Sequence, residues 1–511
     1  MRGEVVKIMF AAMGSEVISL ESLSAVLKQH GYTCRLAFDR GLFDDKQYFS
    51  IPFLARLFND RAQVLKEIRD FKPDILAFSV MTDTFQWCLD IARAAKKQAA
   101  LTVVMGGVHP SCVPEVCIAQ DCVDVVCTGE GEYPLLELAQ SMAAGRIDYG
   151  IRNLWFKKDG QVIKNPPRPL IQDLDTLPMP DKDLFEEYID IPSYYLTVTN
   201  KGCIARCAYC SQNFYESWGR EQGLAPFYRE RSVDSVIAEL RHMQQRYHFK
   251  RVDIKNNVLA ARKEWTLAFA ERYKAEIGVP LRIMGHPKTI DAEVAVKLKE
   301  AGCWHVQIGI ESMNPAIRRN WLGRNETNQD IACALEAMDK AGLHYSVDLM
   351  VGLPGETNED ILEALEFLIA RPALTRASIF WLKYLPAVEI TRHALECSQI
   401  GPGDLEKINQ GLQPNYLSTG SVEDKAMRGC LLSFQVLFRI LPIMPRGLME
   451  LILRRKYYRY FRYLPQIPVI IFIDILVSIC KKDHWALYAI YSYLWELGRR
   501  ARRFVALLEK S

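Results

Sequence analysis

Residues 194–210 read Tyr-Tyr-Leu-Thr-Val-Thr-Asn-Lys-Gly-Cys-Ile-Ala-Arg-Cys-Ala-Tyr-Cys. A strand-like run over 194–199 is followed at once by Cys203, Cys207 and Cys210 in the spacing C-x3-C-x2-C. Thiolates are the usual ligands of iron–sulfur clusters. Three of them on a cubane of four irons leave one iron open to a small molecule. Two plainer readings stand beside this one. The cysteines are half of a zinc site, which normally takes four ligands, although no His lies between His109 and His242. Or they are thiols that simply pack as small hydrophobes.

Downstream of this loop the chain keeps alternating. Strand-like runs fall at 194–199, 250–255, 280–285, 305–310, 345–351 and 377–385, with helical patterns near 233–247, 262–277, 291–301, 327–341 and 358–370. Six strand–helix steps predict a partial (β/α)6 barrel over 194–390. Ligands of parallel α/β folds sit at the carboxyl ends of the strands, so the cysteine loop is placed where chemistry is expected.

Upstream, residues 1–150 alternate in the same way. Strands are expected at 4–10, 32–38, 74–80, 101–105 and 123–127, and helices near 20–30, 84–97 and 132–143. This pattern predicts a doubly wound parallel sheet. No G-x-G-x-x-G follows the first strand, which argues against a dinucleotide site. Residues 151–193, rich in proline, read as a small hairpin and a linker. Residues 391–511 read as a mainly helical carboxyl-terminal region. No internal repeat is found.

The cysteine loop resembles the signature of the radical S-adenosylmethionine (SAM) superfamily. That resemblance implies a [4Fe–4S] cluster on Cys203, Cys207 and Cys210, with SAM bound at the open iron and cleaved to a 5′-deoxyadenosyl radical. It places the aromatic Tyr209 near the adenine. Gln307-Ile-Gly-Ile-Glu-Ser312 resembles the segment that sets a polar side chain by SAM, which makes Glu311 a candidate; the plainer reading is a charge solvated at a strand end. Asp348-Leu-Met-Val-Gly-Leu-Pro-Gly-Glu-Thr357 resembles the family's glycine-rich turn, in which Gly352 and Gly355 permit close approach. One departure is Asn256-Asn257, where relatives often carry paired aspartates. Asparagine hydrogen-bonds but is no carboxylate, and Asn256 is retained only as a polar contact.

In front of such a barrel, residues 1–150 resemble the Rossmann-like cobalamin-binding domain of the cobalamin-dependent radical SAM class. The resembling pieces are Ser79-Val-Met-Thr-Asp-Thr84, Gly106-Gly-Val-His-Pro110 and Gly129-Glu-Gly-Glu132. They make Ser79, Thr82, Thr84, Gly106, Gly107 and Gly129 the candidate corrin contacts. The D-x-H-x-x-G pattern that supplies a lower axial histidine elsewhere is missing. His109 is an alternative ligand, but at a Gly-Gly turn it reads first as a structural or tail contact.

The composition is that of an ordinary globular chain of 511 residues. Its 14 cysteines do not describe a short secreted disulfide scaffold, and no signal pattern opens the sequence, so a reducing cytoplasm is expected. Cys112, Cys117, Cys122 and Cys127 recur every five residues, which suits neither a helix face nor a metal loop, and they read as packing residues. The net charge is +3, yet from Arg446 onward 13 Lys and Arg meet only 5 Asp and Glu. There Arg454–Tyr463 mixes cations with aromatics, and the 14 residues Ile467–Cys480 are apolar apart from Asp474. That run is short of the roughly 20 residues a membrane span needs. It reads either as a buried core helix with solvated basic ends or as a peripheral contact of 446–511 with the inner face of the membrane. Nucleic acid is the weakest of the partners considered.

The resemblance thus implies an enzyme using a [4Fe–4S] cluster, SAM and cobalamin. Its expected activity is methyl transfer to an unactivated carbon of a hydrophobic or natural-product substrate, a small molecule or lipid. A reductant such as flavodoxin or ferredoxin would supply the electron. The alternatives are a cobalamin-dependent radical cyclase or rearrangement enzyme, and a non-catalytic iron–sulfur redox partner.

Overall fold

The computed structural model describes residues 6–45, 49–259, 261–412 and 425–508. The chain forms two compact units. One comprises Met1–Ile189, Leu196–Glu239 and Lys383–Ser418, the other Asp190–Tyr195, Leu240–Leu382 and Thr419–Ser511.

The first unit is built on a seven-stranded sheet. Its strands are β1 (Lys7–Met13), β2 (Thr33–Asp39), β3 (Ile75–Ser79), β4 (Thr102–Gly106), β5 (Val125–Cys127), β6 (Leu154–Lys158) and β7 (Gln161–Lys164), in the order β2-β1-β3-β4-β5-β6-β7. The first five are parallel, and their runs are buried on both faces, as a doubly wound sheet requires. Alternate residues divide between two cores. Ile8, Phe10, Ile75, Ala77 and Val104 pack with helices α1 (Ile18–Gln29) and, further on, Glu132–Ala143. Met9, Ala11, Leu76, Phe78 and Val103 face the other way, toward α2 (Arg61–Phe71) and α3 (Phe85–Lys96). Strand order reverses between β1 and β3, and the crevice beyond such a switch point is where ligands bind. The hairpin expected within 151–193 is present as β6 and β7. It joins the sheet, antiparallel to β5, and does not stand alone.

The turn Lys182–Leu184 carries a fully buried cation. Lys182 Nζ lies 2.6 Å from Glu16 Oε1, 2.7 Å from Glu21 Oε2 and 2.6 Å from the Leu196 carbonyl oxygen. Burial pushes the Glu21 carboxyl well above its ordinary value against the pull of Lys182. Removing one partner of a buried ion group leaves the others uncompensated, which costs about 3–5 kcal/mol. Lys182→Met is therefore expected to lower unfolding stability by about that amount in a denaturant titration. A loss below about 1 kcal/mol would contradict this role for the triad.

The second sheet has six strands in chain order: β8 (Tyr195–Thr197), β9 (Val252–Ile254), β10 (Leu281–Gly285), β11 (Cys303–Glu311), β12 (His344–Val351) and β13 (Leu374–Trp381). Pairing from β9 to β13 is parallel throughout. Helices Lys263–Glu276, Ala292–Glu300, Asn328–Ala341 and Asn358–Ile369 follow the middle strands. Sequential order with a helix after each strand is what an incomplete (β/α) barrel requires. Val306, Ile308 and Ile310 of β11 and Tyr345, Val347 and Leu349 of β12 supply buried apolar side chains. The intervening positions are His305, Gln307, Gly309 and Glu311, and Ser346 and Asp348, so one face of the sheet is polar.

Candidate functional site

The cysteine loop opens on Gly202, which has φ +85; a Cβ there would lie 2.5 Å from the Phe227 carbonyl oxygen, so only glycine fits. None of the three cysteines is disulfide-bonded. The Ala205 amide donates to Cys203 Sγ at 3.4 Å, and the Cys210 amide to the Cys207 carbonyl at 3.0 Å. Among the described residues, no three His, Cys, Asp or Glu side chains gather around one metal-ion position. A cubane takes each thiolate on a different iron. Three thiols on one short loop, with an amide aimed at a sulfur, fit a [4Fe–4S] cluster with an open iron. Tyr209 beside them is half-buried.

The loop continues into α4 (Ser211–Glu221), a helix that the strand–helix alternation of the sequence did not announce. Two of its three aromatic residues meet the turns at the carboxyl ends of β4 and β5. Tyr215 donates to the Gly107 carbonyl at 3.2 Å. The Trp218 ring covers Gly129, where a Cβ would come within 3.3 Å of it. Below the helix, the sequence Gly129-Glu-Gly-Glu132 reaches back to the cysteine loop. Glu132 Oε1 lies 2.5 Å from Lys201 Nζ, and Glu130 Oε1 lies 2.9 Å from Arg229 Nη1. Lys201 and Arg229 are themselves cross-strand partners. Burial would raise Glu132, but the Lys201 charge and hydrogen bond outweigh it and hold the carboxyl below its ordinary value. The two glutamates thus anchor the cysteine loop.

The candidate corrin contacts Ser79, Thr82, Thr84, Gly106, Gly107 and Gly129 lie on three adjoining turns. The Val80 amide donates to the Gly106 carbonyl at 2.7 Å. Ser111 bridges two turns, donating to the Gly107 carbonyl at 2.7 Å and accepting from the Gly129 amide at 3.0 Å. Gly107 has φ +99, and a Cβ would stand 2.8 Å from the Val80 nitrogen. Ser79 shares a hydrogen bond with Ser19 at 2.9 Å. These small residues at a switch point fit a large planar cofactor that needs close backbone approach. Thr84 spends its hydroxyl on the backbone of Met81. Thr82 meets His109 Nδ1 at 3.2 Å.

In the second unit, Glu311 ends β11 with φ +60, a strained conformation for a non-glycine residue. It is 9% exposed, and Arg324 Nη1 lies 3.6 Å from its Oε1. Arg324 also donates to the Gly309 carbonyl at 2.8 Å and pairs with Glu326. The plainer expectation of a solvated charge at a strand end is thereby corrected. Asn256 is buried just past β9. Gly352 and Gly355 both have positive φ, at 75° and 76°. The Gly352 amide donates to Glu356 Oε2 at 2.8 Å, so the turn is closed by its own glutamate. A polar line that the sequence gave no reason to expect crosses the sheet. Arg282, fully buried, donates to both Asp253 oxygens at 2.9 and 2.8 Å and to Gln307, which in turn donates to Asp348. Burial, reinforced by the Arg282 charge, brings Lys255 down to about 8.

With this geometry in hand, comparison with known proteins is decisive. Residues 197–368 match the radical SAM superfamily and residues 12–139 match the B12 binding domain. The chain thus joins a B12 binding domain to a radical SAM domain. Among relatives of this radical SAM chain is the uncharacterized methyltransferase PH0819 of Pyrococcus horikoshii, 31% identical over 318 residues. That alignment covers 61% of this chain and 66% of the relative, so just under two thirds of that protein is spanned. The methyltransferase TsrM from Kitasatospora setae, solved with cobalamin and a [4Fe–4S] cluster, superposes with a TM-score of 0.62 at 19% identity, covering 78% of this chain and 76% of its own. The cobalamin-dependent SAM radical enzyme OxsB superposes with a TM-score of 0.66 at 14% identity, covering 99% and 81%. These two likenesses show the shared fold.

The other thiols of the chain are of a different kind. Burial pushes Cys88, Cys112, Cys127 and Cys303 up to about 12, and Cys117 and Cys122 upward as well, which keeps them protonated. His109 has no exposed surface, lies 4.3 Å from the Phe85 ring by centroid, and is brought down to about 4 by burial. These observations favour packing for the cysteines and a structural role for His109.

Glu356 gives the glycine turn a pH dependence. Burial lifts its carboxyl from 4.5 to about 8 against the two backbone donors Gly352 and Leu353. Between those values the folded state keeps a proton that the unfolded state has lost, so stability falls as pH rises through this window. Glu356→Gln keeps an acceptor and removes the titration. Its denaturation midpoint is expected to vary less than wild type between about pH 5 and 8; an unchanged slope would contradict the assignment.

Proposed function

We propose that this chain catalyses cobalamin-dependent radical SAM methyl transfer to an unactivated carbon of a hydrophobic or natural-product substrate. The observation that carries the reading is the joining, within one unit, of the cysteine loop to the turns of the B12-binding domain. Tyr215, Trp218, Lys201 and Arg229 make that connection. When bound, the cofactors supply one-electron cleavage of SAM and carriage of a methyl group.

The chain's own residues hold and orient. Cys203, Cys207 and Cys210 are the ligands of the cluster, and Tyr209 flanks the adenine. Arg324 holds Glu311 in its strained conformation, ready to accept hydrogen bonds from the SAM amino group or ribose. Gly352 and Gly355 allow the adenine to approach backbone, and Asn256 adds a polar contact. Ser79, Thr82, Thr84, Gly106, Gly107 and Gly129 line the corrin side, with Thr82 and Thr84 acting through the turn they stabilise. In domain terms, 1–150 binds cobalamin, 151–193 links, 194–390 is the partial TIM barrel and 391–511 contacts the substrate or the membrane. A flavodoxin- or ferredoxin-type reductant supplies the electron, and the protein works in the cytoplasm or at the inner face of the membrane.

Cys203→Ala, Cys207→Ala and Cys210→Ala are each expected to lose iron and to abolish SAM cleavage in anaerobic assays. Cleavage retained by any one of them contradicts the ligand set. With substrate in hand, product mass is expected to rise by one methyl; loss of hydrogens without added carbon would instead mark a cyclase.

A further inference from the structure

The carboxyl-terminal helices of the second unit are α5 (Lys425–Ile440), α6 (Arg446–Arg454), α7 (Gln466–Lys481) and α8 (His484–Leu508). α7 is apolar nearly all round, and a helix of that kind is ordinarily buried. Only one side of it is. Val469, Ile473 and Val477, at four-residue spacing, pack with Val436, Ile440, Ile443 and Phe461. The opposite side carries Ile471, Phe472, Ile475, Leu476 and Ile479, all exposed, with Phe472 at 65% and Ile479 at 60%. Their positions recur at the helical period and form one stripe. The core-helix expectation therefore holds for half of the helix.

The lone charge in the run is taken off the stripe. Asp474 is paired with Arg439 of α5 at 2.8 Å. Both ends of the stripe are flanked by residues of another kind. Before it come the exposed Tyr460, Tyr463 and Leu464, interleaved with Arg459 and Arg462. After it come Lys481 and Lys482. No described helix is long and apolar enough to cross a membrane. An apolar stripe bounded by aromatics and cations, too short to span, matches a helix lying in the plane of a bilayer interface.

We propose that the exposed stripe of α7, with its tyrosine and basic flanks, docks on an anionic lipid surface. The proposal deepens the reading of a hydrophobic substrate and rests on it for its biological sense. Charge selects this occupant over a second copy of the chain. Residues 446–511 carry a surplus of eight positive charges, and an isologous dimer would bring two such basic rims together. An anionic membrane neutralises them.

The test uses the full chain, prepared anaerobically with its cofactors, in flotation with vesicles of phosphatidylcholine alone or mixed with phosphatidylglycerol. The protein is expected to float with the mixed vesicles and to be released by high salt. Lys481→Gln with Lys482→Gln is expected to weaken that binding about thirtyfold, from ~1 kcal/mol per cation near the surface. Phe472→Asp with Ile479→Asp is expected to abolish it, while SAM cleavage without vesicles stays at the wild-type rate, which shows that the fold is kept. Absence of binding to any vesicle overturns the proposal. So does binding unchanged in the aspartate variant, or a dimer in sedimentation that this variant splits. Vesicle binding by a protein that cleaves no SAM upholds docking and overturns the enzymatic reading instead.

Discussion

The first unit depends on two carboxylates, Glu132 buried and Glu130 half-buried, that face two cations across a turn. Glu132 and Glu130 leave the B12-binding domain just after Gly129 and meet Lys201 and Arg229, which bracket the cysteine loop. Charges removed from water are tolerated only when paired and hydrogen-bonded, so this arrangement strongly restricts where the loop can lie. α4 adds a second restriction. Trp218 needs the empty space over Gly129, and Tyr215 needs the Gly107 carbonyl. Two elements far apart in sequence thereby become one platform that presents three thiols and a set of small-residue turns. That shared platform gives the cofactor chemistry a reason to be coupled.

The second unit solves a different problem. In an incomplete barrel the parallel strands β9–β13 carry helices on the outside and turn their other face inward, where polar side chains can serve chemistry. Here the Asp253–Arg282–Gln307–Asp348 line runs across that face from β9 to β12. At the carboxyl end of β11, Glu311 is held in a costly left-handed conformation by Arg324. Strain of that kind persists only where surrounding contacts over-determine it, and it clusters at functional sites.

Much of this was legible in the sequence because strands buried on both faces leave unbroken apolar runs and helices leave a 3.6-residue period. Leu76–Phe78 and Val103–Met105 announce their strands in that way, and Val306–Ile310 announces its strand by strict alternation. The cysteine spacing announces a cluster because three ligands sit within one loop. What escaped was set by distant partners. α4 lies against a motif whose cysteines dominate the local pattern, yet Phe214, Tyr215 and Trp218 at one-turn spacing were its available signal. α2 has few apolar positions, Val64 and Ile68 being the buried ones, so its segment shows little helical periodicity. Arg324 as the partner of Glu311, and Arg282 as the hub of the polar line, have no local signature at all. α7 was undecidable between core and interface because an all-apolar helix looks the same from either side until its neighbours are placed.

The central claim is that three thiolates leave one iron of a cubane open to SAM. Electron paramagnetic resonance of the dithionite-reduced, anaerobically prepared protein tests it most directly. The account predicts a reduced [4Fe–4S] signal whose g-values and lineshape change when SAM is added. A signal indifferent to SAM, or none from protein shown to contain zinc in place of iron and sulfide, would contradict it.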